Sequence, residues 1–259
     1  MGTTVLAVSA HPDDIEWGMG GTLLLLRRAG CALHYMTVAN GCYGTETLTR
    51  EEIIAVRREE ARAGAEALGA TFHESITDDF NILYVQEQIR KVAAVVREVA
   101  PDIILTHPLE DYMEDHMNAA RLICSAAFIR ASAHYLTDPP RPAVGTPVCI
   151  YHTLPHSLHD RMRRPVVPEL YVDIATVIDE KRRAISCHKS QEAWLSSTQG
   201  TQTLADNMEQ DARKIGGMTR RFALAEGWSR HLHVGYSSEE IDPLADLLAE
   251  FVYRPAAHA

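Results

Sequence analysis

Val5-Leu-Ala-Val-Ser9, running directly into Ala10-His11-Pro12-Asp13-Asp14, is the stretch that decides how this chain folds. The apolar run is too short for a buried helix and reads as a strand covered on both faces. Residues 16–28 follow with Met19, Leu23, Leu24 and Leu26 placed for a helix packed on a sheet, and Gly30 closes it. A second strand is expected over 33–38, and Asn40-Gly41 marks a turn. Thr49-Arg-Glu-Glu52 has the form of a capping box opening a long helix through Leu68, which Gly69 ends. A short strand at Thr71-Phe72 and a helix over 86–99 come next. Ile103-Ile-Leu-Thr106 is another apolar strand, ending in His107-Pro108, and 118–130 reads as a helix.

Strands alternating with helices of this length predict βαβ units and an α/β fold. The expected architecture is a doubly wound, mainly parallel sheet with helices on both faces. Residues 136–147 are proline-rich and read as a loop, with a strand over 148–152. Beyond, 172–187 reads as a strand end and a helix, and 243–253 as a final helix. No repeat or linker divides the chain. Residues 1–259 are therefore expected to form one domain, with a core over 1–155 and a less regular portion over 156–259.

The chain has 259 residues, 46% hydrophobic and 23% charged, as in soluble globular proteins. Its net charge of −10 argues against nucleic acid and anionic membrane surfaces as partners. No apolar run approaches the roughly 20 residues that span a bilayer. The first ten residues lack the features of a signal peptide. Cys31, Cys42, Cys124, Cys149 and Cys187 are scattered without a C-x-x-C pair, which argues against a disulfide framework or a zinc finger. A reducing, cytoplasmic setting is the expectation.

Two loops carry chemistry. His11 and Asp14 offer a nitrogen and an oxygen ligand at the carboxyl end of the first strand, where open α/β sheets bind ligands. Asp13 lies between them and is free to face a water. The competing interpretation is a plain strand-to-helix turn, capped by Asp13 or Asp14. The second loop, His107-Pro-Leu-Glu-Asp111-Tyr112-Met113-Glu114-Asp115-His116, follows the strand 103–106. If the two strands are neighbours, both loops open into one crevice, and His116 or His107 supplies a third ligand. Two imidazoles and a carboxylate leave a position for water, as hydrolytic zinc sites require.

The segment Ala10-His-Pro-Asp-Asp-Ile-Glu-Trp-Gly-Met-Gly-Gly-Thr22 resembles the signature of the LmbE/PIG-L family of zinc-dependent N-deacetylases. Asp115-His116 resembles the end of that family's second motif, His-Pro-Asp-His. Asn40-Gly41 and the pair Arg57, Glu60 stand where the family has a turn and an Arg-x-x-Glu helix. The likeness covers about the first 130 residues and continues weakly through Ala184-Ile-Ser-Cys-His-Lys-Ser-Gln191. It implies a Rossmann-like fold, a zinc ion or another divalent transition metal held by His11, Asp14 and His116, and Asp13 as general base. It implies removal of an acetyl group from a small N-acetylated amino sugar or conjugate, by a homo-oligomer such as a trimer or hexamer. It also sets Arg57 at the substrate mouth, with Asn40 nearby; Asp111 and Tyr112 are further candidates for substrate contact.

One position departs. The first histidine of His-Pro-Asp-His, steered in the family by the aspartate matching Asp115, falls on Met113. A thioether has no proton to donate to a developing oxyanion. Either the chain only binds metal or ligand, or another donor has taken the task; the intact motif positions favour the second. His188, His107 and Tyr112 are the candidates, ranked with His188 first.

Other features read more plainly. Gly18-Met-Gly20-Gly21 is not G-x-G-x-x-G and suits close helix packing rather than phosphate binding. Cys187-His188 is no dyad, because adjacent helical residues diverge. His152, His156 and His159 read as a solvated loop rather than a metal site. A nucleotide-binding Rossmann module is the competing function of another class, but the chain lacks the glycine fingerprint and has Ala39-Asn40 where that module carries an acid.

Overall fold

The computed structural model describes residues 2–199, the last four by their backbone alone, and 203–255; residues 200–202 and 256–259 of the expected C-terminal portion lie outside it. The elements in chain order are β1 (Thr4–Ser9), α1 (Asp14–Gly18), α2 (Gly20–Arg28), β2 (Ala32–Thr37), α3 (Arg50–Leu68), β3 (Ala70–His73), α4 (Gln86–Val99), β4 (Ile103–Thr106) and α5 (Glu114–Ile129). There follow β5 (Cys149–Thr153), β6 (Leu170–Asp173), a 3-10 turn (Ala175–Val177), α6 (Ile178–Ile185), α7 (Lys189–Gln199), α8 (Leu204–Thr219), β7 (Ala225–Arg230), α9 (Pro243–Leu247) and β8 (Val252–Tyr253).

They build one eight-stranded sheet in the order β3-β2-β1-β4-β5-β7-β6-β8. β1 to β5 pair in parallel. β7 runs antiparallel to both β5 and β6, and β8 antiparallel to β6. The fold is thus α/β with a mainly parallel sheet, as expected. β1 shows why both faces are covered. Val5 and Ala7 point into one apolar cluster, Leu6 and Val8 into the other. All four have 0% exposure, and burying a valine or leucine fully is worth roughly 1.5–3 kcal/mol. α2, α3 and α6 cover the first face; α4 and α5 cover the second.

β1 lies between β2 and β4, so the chain winds one way to β3 and then crosses back. The carboxyl ends of β1 and β4, paired through Val8 and Thr106, flank that switch point. The capping box of α3 forms as read: the Thr49 hydroxyl accepts from Glu52 N, the Glu52 carboxylate accepts from Thr49 N, and Gly69 ends the helix at φ 74°.

Three expectations need correction. The helix expected over 16–28 is two helices, broken at Met19, whose φ of −131° lies outside the helical range. The expected final helix stops at Leu247, and Val252–Tyr253 adds an edge strand instead. The second half is also better organised than its sequence suggests, because β6, β7 and β8 continue the same sheet.

The glycine run packs tightly, as expected. A Cβ on Gly21 would stand 2.5 Å from the Ile174 side chain. The amides that open α2 do hold an anion, but it is the protein's own Glu226, which accepts from Gly21 N and Thr22 N at 2.7 Å. Lys181 Nζ meets the same carboxylate at 2.6 Å, with the pair only 1% and 2% exposed. Replacing one partner of such a pair leaves an uncompensated buried charge. Glu226→Ala is therefore expected to destabilise the fold by about 3–5 kcal/mol in urea unfolding. A loss below 1 kcal/mol would mean that Lys181 finds another anion or sheds its proton.

Candidate active site

His11 stands just past β1, Asp14 opens α1, and His116 sits in the first turn of α5. The topology brings the three together, with ligand atoms within 4.8 Å of one another. The Asp14 carboxylate accepts from His11 N at 2.7 Å, which holds it over the loop rather than across the helix end. Asp13 stands at the N-cap of α1, but neither it nor Asp14 makes a side-chain cap bond there.

Each imidazole is gripped from behind by a second carboxylate. His11 Nε2 meets Asp115 Oδ2 at 3.0 Å, and His116 Nδ1 meets Asp111 Oδ1 at 3.1 Å. With those nitrogens donating, His11 Nδ1 and His116 Nε2 turn lone pairs inward, each 3.5 Å from Asp14. Three electron-rich groups then face one another, an arrangement that asks for a cation between them. Tetrahedral zinc with Zn–N near 2.0–2.1 Å sets its ligand atoms about 3.3 Å apart, so the donor set fits such an ion. The electrostatics agree. Burial disfavours charge on His11, but its bonds to Asp115 and Asp14 outweigh that and raise its pKa to about 10. His116 is raised too, with Asp14 and Asp111 overcoming burial. In Asp14 burial works upward, yet His116 and His107 hold its carboxyl well below the usual range.

Asp13 has φ 103°, a left-handed conformation that strains a residue with a side chain. Arg57 explains how it is held. Its Nη2 donates to the Pro12 carbonyl at 2.6 Å and lies 3.4 Å from Asp13 Oδ2. Burial pushes the Asp13 carboxyl up and Arg57 pulls it down, with a net rise. A carboxylate of raised pKa is a better proton acceptor. Arg57 is 2% exposed, so it lies beneath the site rather than at an open substrate mouth, a correction to the expectation. It also reaches Gln191, while Glu60 accepts from Ser190 N and Oγ. The Arg-x-x-Glu pair thus clamps the start of α7.

The remaining expected residues divide. His107 joins the site: its ring stacks on His116 at 4.1 Å and 6°, and its Nε2 accepts from Ala10 N at 3.0 Å. The same nitrogen lies 3.1 Å from Asp14 Oδ2, and burial together with His116 lowers the His107 pKa. Tyr112 lies edge-on to His116 at 5.4 Å and is 56% exposed. Burial of its hydroxyl, then Asp14, pushes its pKa up, so it stays a donor. Asp111 is 1% exposed and bonded to His116, so it serves an imidazole rather than a substrate. Asn40 turns away, donating to Asp78 at 2.7 Å and accepting from Cys42 N. Asp115 steers His11 and accepts from Phe80 N; the residue it steers in the family pattern is Met113 here.

His188, the first choice of donor, is 0% exposed and 3.2 Å from Glu16. A side chain with no open surface cannot touch a substrate carbonyl, which corrects that ranking. His152 is also buried rather than solvated, and its partner is His231, not His156 or His159. Sequence reasoning missed Asp79, which accepts from Gly41 N and Tyr43 N, because nothing around 78–80 has a periodic or motif signature.

Asp111→Asn keeps the shape of its side chain but weakens its grip on His116 Nδ1. Metal affinity, read by competition with a chelator, is expected to fall about 10–100-fold, whereas His116→Ala should lose the ion outright. Equal affinity in Asp111→Asn would remove Asp111 from the support of His116.

Comparison with known proteins places this geometry. The family model described as GlcNAc-PI de-N-acetylase (PIG-L) matches residues 6–127. The chain is 32% identical over 197 residues to the 4-oxalmesaconate hydratase of Pseudomonas putida, covering 73% of this chain and 74% of that protein. It is 30% identical over 202 residues to the diacetylchitobiose deacetylase of Thermococcus kodakarensis, covering 72% and 69%. Among solved structures, the 4-carboxy-2-hydroxymuconate hydratase of Pseudomonas putida superposes with a TM-score of 0.75 at 27% identity, over 93% of this chain and all of that one. With its first motif intact at His11, Asp13 and Asp14, the chain belongs to the PIG-L (LmbE) family.

Proposed function

We propose that the protein is a zinc-dependent hydrolase that removes the acetyl group from an N-acetylated amino sugar or sugar conjugate. The observation that carries this is the strained Asp13 carboxylate, held by Arg57 beside the inward-facing atoms of His11, Asp14 and His116. Those three residues would hold the ion, which supplies Lewis acidity toward the amide oxygen and lowers the pKa of water. Asp13 takes the proton of the attacking water and returns one to the leaving amine. Tyr112, protonated and open at the rim, donates to the carbonyl oxygen in place of the histidine that Met113 replaces. His107 and Asp111 hold the His116 ring, and Asp115 holds His11. The rim continues to His156, which packs edge-on against Trp17 at 4.6 Å. Aromatic rings around a polar centre suit the apolar face of a sugar.

A second reading has one specific support. The likeness to the hydratase of Pseudomonas putida, in sequence and in structure, together with Met113, fits addition of water across a carbon–carbon double bond, with Asp13 again taking the proton of water. Assaying the metal-loaded protein on a panel of N-acetylated sugars and of unsaturated carboxylates separates the two. Release of acetate supports the first reading. Loss of the alkene absorbance without acetate overturns it in favour of the second.

Asp13→Asn should retain the metal and lose about 10²–10⁴ in turnover. Tyr112→Phe should lose about 10²–10³ in kcat, the scale of an oxyanion donor, at unchanged metal content. Normal turnover in Tyr112→Phe, with a collapse in His107→Gln, would move the donor role to His107.

A further inference from the structure

Behind the active site, on the far side of His107, lies a second group of ligand-type side chains. Cys124 of α5, His152 of β5 and His231 just after β7 present a sulfur and two nitrogens within 4.8 Å of one another. We propose that these three residues form a second metal site, structural in role, that takes a thiophilic ion of the zinc class.

The geometry supports this at each ligand. His152 Nδ1 donates to the carbonyl of His107 at 2.7 Å, which leaves its Nε2 as a lone pair aimed at His231 Nδ1, 2.8 Å away. A backbone carbonyl on the far nitrogen is the usual way a ligand imidazole is oriented. One proton now joins the two nitrogens. An ion in its place needs them about 3.3 Å apart, an opening of roughly half an ångström. The third donor is the buried, unpaired thiol of Cys124. On binding, the thiol proton leaves to solvent and the proton between the rings moves to His231 Nε2.

There is also a route in. His231 and Tyr236 line a cavity of about 260 Å³ that opens to the surface past Glu169 and Glu240. The Tyr236 hydroxyl donates to the Cys124 carbonyl, and the His231 ring meets Tyr236 edge-on at 5.2 Å, so wall and ligands form one unit. An ion here ties α5, β5 and the segment after β7 together. Through His152 it also steadies the His107 backbone. Sulfur with two imidazoles favours zinc over magnesium or calcium, which prefer oxygen.

The site stands apart from the proposed reaction, and the experiment keeps the two separate. The protein is stripped with a chelator and titrated with cobalt(II), whose bond to a thiolate gives a charge-transfer band in the near ultraviolet. The wild-type chain is expected to take up two equivalents and show that band. Cys124→Ser and His231→Gln, checked as folded by circular dichroism, should each take up one and lose the band. His116→Ala should lose the other equivalent and keep the band. A wild-type chain that binds cobalt without a thiolate band overturns the proposal, as does a band that survives in Cys124→Ser.

Discussion

The parallel pairing of β1 with β4 is the constraint from which the rest follows. It sets Val8 beside Thr106, and so brings the loop after each strand to the same edge of the sheet. His11 and His116 are more than a hundred residues apart in the chain, yet meet the same carboxylate because these two strands are neighbours. The crossover geometry of an α/β fold makes that neighbourhood a product of topology. What the loops must then supply is chemistry, and they do so with an excess of acid. Asp14, Asp111 and Asp115 grip the imidazoles, and between them they raise His11 and His116 in spite of burial. A proton or a metal ion answers the same electrostatic demand, so the two compete for the same nitrogens.

The parallel half of the sheet was legible because its strands are apolar runs buried on both faces, and its helices carry the capping signals of Thr49 and Gly69. The antiparallel half was not. β7 reads Ala-Glu-Gly-Trp-Ser-Arg, with a carboxylate and a glycine where a buried strand should be apolar. The carboxylate is tolerated because Lys181 and the amides of α2 satisfy it, and the glycine because Leu154 and Pro168 close in on it. Both reasons lie on elements remote in sequence, so no local pattern reveals them. The break at Met19 and the short edge strand at Val252–Tyr253 are hidden in the same way.

At the site, ligand types and their order along the chain were readable, but directions were not. Arg57 and His188 stand at positions that motif likeness ties to substrate, and both prove to be buried. Each works at one remove. Arg57 holds the backbone and side chain around Asp13, and His188 lies against Glu16 behind it. Asp115 behaves alike, turning to His11 when Met113 gives it nothing to orient. A motif records which residue types are present; the partner each one chooses depends on which neighbours can accept or donate.

Gly64 bears on how such a chain tolerates change. It lies in the middle of α3, where glycine costs a helix about 1 kcal/mol relative to alanine. Yet a Cβ there would fall 2.0 Å from Glu16 Oε1 and 3.2 Å from His188 Nε2. Those two groups have no other space, since both are fully enclosed. The substitution that helix propensity recommends is the one the interior forbids. Residues 16, 64 and 188 therefore share one volume, and a methyl group gained at 64 must be matched by a smaller side chain at one of the other two.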